Sequence, residues 1–197
     1  MLPGVYRSAA TLALVITFYG FDFWLIRRYD PLRAQGSSRS WSYTALAIAA
    51  AALLIAQPVV WPGLSLHTEA RWGLLIQAAG LLLIVGGLAL HIWARLHLRQ
   101  FYGEREEYQT GQTLVTSGPY ALVRHPIYSS YYALASGLLL LNPALPTLLG
   151  AVYAFVDFSL AVRREERLLS TALPGYAEYM ARTPRFLPRL RKRSGGQ

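Results

Sequence analysis

No cysteine occurs in the 197 residues, so disulfides, iron–sulfur clusters and thiolate zinc sites are excluded and the redox compartment is left open. Lysine is nearly missing as well: Lys192 is the only one, and arginine supplies the rest of the 19 basic residues. Acidic residues number ten, and charged residues make up 15% of the chain against 54% hydrophobic. A chain so poor in charge, with a mean hydropathy of +0.29, is too apolar for an ordinary soluble domain and fits a small polytopic membrane protein. The net charge of +9 is compatible with nucleic-acid binding. The arginines fall at the ends of apolar runs, however, which is the pattern of a membrane face, and no nucleic-acid partner is expected. Internal repeats, low-complexity segments and a soluble domain are absent too. Residues 1–197 therefore read as one membrane domain, with three spans in 1–94 and the chemistry in 95–197.

What is present is a series of apolar runs. Residues 5–26, 42–60 and the stretch from Trp72 are each long enough to cross a hydrocarbon core of ~30 Å. The first lacks a basic leader and a small-residue cleavage site, so it reads as an anchor. Asp22, near its end, has two readings: a functional intramembrane carboxylate, or a partner for a nearby arginine at the interface. The third run keeps its helical pattern to about Gln100 and sets His91, Arg95 and Arg99 on one face. That face is either the lining of a pocket or a basic collar reaching toward phosphates. His91 and His97 are six apart and do not face each other, so no metal pair is expected. Residues 127–141 and 144–162 form a helical hairpin around Asn142-Pro143, its first arm marginal for a full span. Asp157 lies in the second arm with no partner identifiable from sequence. Segments 27–40, 95–126 and the tail after 163 are rich in arginine. By the positive-inside rule the N-terminus is then outside and the C-terminus cytoplasmic. The expected fold class is an all-α, polytopic integral membrane protein of about five transmembrane helices, with its chemistry on the cytoplasmic face.

Residues 112–132, QTLVTSGPYALVRHPIYSSYY, carry that chemistry. Ser117-Gly118-Pro119 is a turn signal. Arg124-His125-Pro126 then sets a cation and an imidazole before an apolar helix whose first turn suits Pro126. Amides at such a helix start hold anionic or electron-rich groups, and Tyr120, Tyr128, Tyr131 and Tyr132 supply flat walls. The stretch reads as a ligand pocket. Residues 163–180, RREERLLSTALPGYAEYM, continue from the last span as an amphipathic helix. Glu165 and Glu166 are about 100° apart on it, so only one points squarely into a pocket. Charge patterning alone makes this a solvated, salt-bridged face.

Taken together, GPYALVRHPIY, a helical hairpin and EERLL…GYAEY…PRFLP resemble the isoprenylcysteine carboxyl methyltransferase family, which groups with the phospholipid N-methyltransferases. The resemblance covers roughly residues 95–190. It implies methyl transfer from S-adenosylmethionine to a lipidic or small amphipathic acceptor (carboxylate, amine or thiol) entering from the bilayer. It also implies cofactor contacts from Gln112, Thr113, Leu114, Val115, Tyr120, His125, Pro126, Ile127, Tyr128 and Glu165 or Glu166, with no metal. Two positions depart from the family: Ser130 stands where glycine is common, and Ala161 where an acceptor-binding arginine is expected. Arg124 or Arg163 is left to position the acceptor, and Arg163, three residues before Glu166, is a candidate to share its face. Two rival readings stand beside this one. A sterol-type, NADPH-dependent membrane reductase would use Arg95, Arg99 and Arg105 for a 2′-phosphate. A non-catalytic scaffold would use the basic face to bind anionic lipid.

Overall fold

The computed structural model describes residues 2–29, 41–65, 70–98 and 113–189, and no strand occurs among them. The helices are α1 (Gly4–Tyr29), α2 (Trp41–Val60), α3 (Ala70–Leu98), α4 (Pro126–Leu141), α5 (Leu145–Ala172) and α6 (Tyr176–Arg182), with 3-10 turns at Pro62–Leu64 and Gly118–Ala121. Lipid offers the backbone no hydrogen bonds, so apolar runs of this kind become helices. Three of them, Gly4–Tyr29, Trp72–Leu98 and Leu145–Ala172, are long and apolar enough to cross a membrane. α2 adds a shorter apolar stretch, Ile48–Val60. The 16 residues of α4 rise about 24 Å, short of a ~30 Å core. The protein is a polytopic, all-α membrane protein, as the apolar runs predict.

Helix association in lipid depends on close packing and polar links. α4 lies along α3, and the two backbones approach at Gly80 and Gly137. A Cβ on Gly137 would sit 2.7 Å from the Gly80 carbonyl oxygen and 2.8 Å from Ile84 Cγ1. Leu14, Ile84, Leu134 and Leu141 fill the core between α1, α3 and α4.

Two polar networks tie the bundle at its ends. At the hairpin tip, buried Arg7 donates Nη1 to Asn142 Oδ1 at 2.9 Å, and Asn142 Nδ2 donates to Gln57 Oε1 at 2.8 Å. The tip is thereby pinned to α1 and α2. Toward the other end, Asp22 Oδ1 meets His91 Nε2 at 3.2 Å and Arg95 Nε at 3.1 Å. Asp22 thus does pair with an arginine, but with one on α3 inside the bundle. His91 and Arg95 are buried, at 0% and 3% exposure, so these two do not form a surface collar. Arg99 and Arg105 lie outside the described residues.

α5 runs unbroken from its apolar part into Arg163-Arg164-Glu165-Glu166, but the single amphipathic helix expected through residue 180 is two helices. Leu173 is extended at φ −111° and ψ 111°, the conformation that a following proline imposes. Gly175 then takes φ 79°, open to glycine at little steric cost. This break folds α6 and the tail back over the motif loop.

Candidate active site

The motif loop is seated on the end of α3. Gly118 turns it at φ 59°, with its Cα so close to α3 that a Cβ would lie 2.3 Å from the His97 ring. Tyr120 and Ile127 pack with Ala94, and Leu98, Val115 and Tyr131 close around them. Pro126 occupies the first turn of α4, where its missing N–H is harmless. His125 precedes it at φ −123° and ψ 62°, and its side chain makes no capping bond to the helix. The imidazole is turned to Glu166 instead.

Glu166 gathers two arginines and an imidazole from two other chain segments, the motif loop and the tail. Its Oε1 accepts from Arg124 Nε at 3.1 Å and Nη2 at 2.7 Å, from His125 Nε2 at 3.1 Å and from Arg185 Nε at 3.1 Å. Arg185 Nη2 also donates to Oε2. The Glu166 side chain is 8% exposed, that of Arg124 9% and that of Arg185 40%. Glu165 is more open, with Oε2 4.0 Å from His125 Nδ1. Of the two glutamates Glu166 points inward and Glu165 does not, which fits their angular separation of about 100°.

The tail crosses this cluster as a strap. Arg124 and His125 donate their backbone N–H groups to the carbonyls of Pro184 at 2.8 Å and Arg185 at 3.1 Å. Ser129 Oγ donates to the Phe186 carbonyl at 2.8 Å, and Arg124 Nη1 donates to the carbonyls of Met180 at 2.9 Å and Thr183. Tyr179 OH bonds the Tyr120 carbonyl at 2.6 Å, fixing α6 to the loop. Burial pushes the Tyr179 phenol up to about 12. Burial, followed by the charges of Glu166 and Glu165, pushes Tyr176 up as well. The Tyr176 hydroxyl is buried and has no hydrogen-bond partner among the described residues.

Aromatic rings wall the space between this cluster and the Asp22 network. Tyr128 lies 5.8 Å from His125 and 6.0 Å from Phe158, and Tyr131 lies 5.0 Å from Phe158 and 5.5 Å from His91. Ser130, in place of the family's frequent glycine, is fully buried. Its Oγ donates to the Ile127 carbonyl at 2.5 Å and stands 3.4 Å from His91 Nδ1.

Of the residues singled out in the sequence, Tyr120, His125, Pro126, Ile127, Tyr128 and Glu166 converge here, with Glu165 at the rim. Leu114 packs against Leu173, Tyr176 and Tyr179, and Val115 against α3. Thr113 is exposed, and Gln112 lies outside the described residues. Arg124 belongs to the cluster through Glu166. Arg163 does not: it is exposed on the outer side of α5. Three residues on a helix separate two side chains by about 60°, and here the edge of the buried face falls between them. Sequence reading missed Arg185, Phe186, Tyr176 and Tyr179 as site residues. The signal for Arg185 was a cation between two prolines, Pro184 and Pro188, in a tail too irregular to be helical.

Residues 75–174 match the phospholipid methyltransferase family. The chain is 35% identical to the cobalt-zinc-cadmium resistance protein CzcN of Cupriavidus metallidurans over 128 residues, 64% of this chain and 57% of that protein. It is 29% identical to the protein-S-isoprenylcysteine O-methyltransferase of Rattus norvegicus over 159 residues, 77% of this chain and 52% of that enzyme. It thus spans little more than half the length of either relative. Its fold is similar to that of the eukaryotic intramembrane Ras methyltransferase, isoprenylcysteine carboxyl methyltransferase. The TM-score is 0.68 at 21% identity, over 95% of this chain and 68% of that one. The family match begins in α3 and ends just beyond α5, enclosing the motif loop, the hairpin and Glu166: this chain belongs to the phospholipid methyltransferase family.

Proposed function

We propose that this protein transfers a methyl group from S-adenosylmethionine to a lipidic or amphipathic acceptor. The carrying observation is that the two motif stretches, far apart in sequence, meet at Glu166 beside an aromatic wall. S-adenosylmethionine supplies a methyl group activated by a cationic sulfonium. The residues present fit it. Glu165 and Glu166 suit its amino group and ribose hydroxyls, and Tyr120, Tyr128 and Tyr131 offer flat surfaces for the adenine. The buried, unpartnered Tyr176 hydroxyl is a donor left over for an acceptor atom of the cofactor, since orphaned buried polar groups are costly. Arg124 acts as a positioning residue: Glu166 and two carbonyls occupy its guanidinium. Rate enhancement then comes mainly from holding nucleophile, methyl carbon and sulfur in line.

The acceptor wall points away from a carboxylate. Ala161, at the position of the family's acceptor arginine, is buried. Asp157 one turn before it and Glu165 one turn after share its face, which makes that wall acidic. It suits an amine or thiol amphiphile, whose proton must leave before attack. The reductase reading is weakened because Arg95, one of its three cations, is spent on Asp22. We put the motif face in the cytoplasm on the strength of the arginine-rich flanks.

Calorimetric titration of the detergent-purified protein with S-adenosylmethionine, and separately with NADPH, tests this function. Saturable binding of the former, weakened in Tyr176→Phe, is expected; binding of NADPH alone overturns the reading. Labelled methyl transfer to amine, thiol and carboxylate amphiphiles of matched chain length then ranks the acceptors, with the carboxylate last.

A further inference from the structure

The outer side of α5 carries a second feature. Leu160, Arg163, Arg164 and Arg167, with Arg185 of the strap, line an open groove of about 540 Å³ that has no acidic side chain in its wall among the described residues. The stretch from Leu145 to Val162 rises about 27 Å, close to the ~30 Å of a hydrocarbon core. The groove therefore sits where α5 leaves the lipid. Val152, Val156 and Leu160 climb the same side at four-residue spacing and are 53%, 56% and 46% exposed. They lead an apolar track directly into the arginines. A ligand that matches both parts has an apolar chain and an anionic head at the membrane surface. Guanidinium groups take phosphate oxygens in pairs, and basic clusters at this depth attract anionic lipid.

We propose that this groove binds the headgroup of an anionic phospholipid, and that its occupancy is coupled to Glu166 through Arg185. Arg185 is shared between the two: it lines the groove and donates to both carboxylate oxygens of Glu166. Among the described residues it is the sole donor to Oε2. At 40% exposure, against 9% for Arg124, it is also the cation freer to turn. A phosphate in the groove competes for Arg185 and releases Oε2, while Arg124 and His125 keep Oε1 in place. The freed oxygen would then be available to an amino or hydroxyl group of the cofactor. This coupling rests on the cofactor reading above; the lipid site does not.

The full-length protein is titrated with short-chain phosphatidylglycerol, phosphatidylcholine and inorganic phosphate, with binding read by native mass spectrometry, and with S-adenosylmethionine in each lipid. Phosphatidylglycerol is expected to bind at least about fivefold more tightly than phosphatidylcholine and to raise cofactor affinity by a similar factor, the lower range of site–site coupling. Both effects disappear in Arg163→Gln/Arg167→Gln, whose replaced side chains are exposed and whose fold is verified by circular dichroism. Equal binding of the two lipids, or a preference that survives the double substitution, overturns the site. Inorganic phosphate binding as well as phosphatidylglycerol overturns the lipid assignment. A lipid preference with unchanged cofactor affinity overturns the coupling. Absence of cofactor binding in every lipid refutes the methyltransferase reading and leaves the lipid result to stand or fall alone.

Discussion

Replacing Glu166 by glutamine tests the organisation of the site most directly, because it removes one charge and little volume. Arg124, with a side chain 9% exposed, would then keep the carbonyls of Met180 and Thr183 and a neutral amide oxygen as partners, with no counter-charge. Removing one member of a buried ion pair costs about 3–5 kcal/mol. Arg185 is 40% exposed and returns to water, so its own share is about 0–1 kcal/mol. The lower bound of about 3 kcal/mol for Glu166→Gln corresponds to roughly a hundredfold in the opening equilibrium of the strap. The readout is hydrogen exchange of the Arg124 and His125 amides, which bond the carbonyls of Pro184 and Arg185, with amides of α1 as an internal reference. Glu166→Gln should speed their exchange about a hundredfold, whereas Arg185→Gln should change it by less than about fivefold. Equal effects from the two substitutions would refute the claim that burial of Arg124 and Glu166, and not the number of contacts, holds the strap.

Tyr176→Phe should leave the unliganded protein as stable as before or more stable by about 1 kcal/mol, because the hydroxyl removed is buried without a partner. The same change should weaken S-adenosylmethionine about tenfold, so melting and calorimetry move in opposite senses. Asp22→Asn leaves Arg95, 3% exposed, without its carboxylate. A loss of about 3 kcal/mol, or about 6–12 °C in Tm, is expected in detergent melting curves. Tyr179 sets an alkaline limit. Its folded pKa of about 12 lies above the ~10 of an unfolded phenol, so its contribution is complete below pH ~10 and is lost as pH rises toward 12. Limited proteolysis across that window should show α6 releasing, and Tyr179→Phe should flatten the pH dependence. At neutral pH that variant should lose about 1 kcal/mol with its bond to the Tyr120 carbonyl. Gly137→Ala should cost about 1–3 kcal/mol by forcing α4 away from the Gly80 carbonyl and Ile84.

Much of the fold was legible because lipid leaves the backbone few options: an apolar run becomes a helix whatever its neighbours do. Pro126 and Asn142-Pro143 mark the ends of α4 for reasons confined to their own covalent geometry. The site was legible in its parts but not in its closure. Helical spacing correctly grouped His91 with Arg95, yet whether that face turned inward depended on Asp22, far away in sequence on α1. Spacing also separated Glu165 from Glu166 without saying which was buried, and it admitted Arg163 to a face whose edge the packing set elsewhere. How the PRFLP stretch closes over the site was not legible, for a different reason. The strap's carbonyls, at Met180, Thr183, Pro184, Arg185 and Phe186, make most of its bonds, and backbone acceptors leave no trace in side-chain pattern.

A compositional fact explains which charges matter. With 19 basic and ten acidic residues, an arginine has little information in it here, since most arginines must end in water or at lipid headgroups. A carboxylate held within such a chain draws cations from wherever the fold can bring them. Asp22 collects His91 and Arg95; Glu166 collects Arg124, His125 and Arg185. Each joins segments remote in sequence, α1 to α3 in one case and the motif loop, α5 and the tail in the other. The scarce charge is therefore the better guide to where the helices meet.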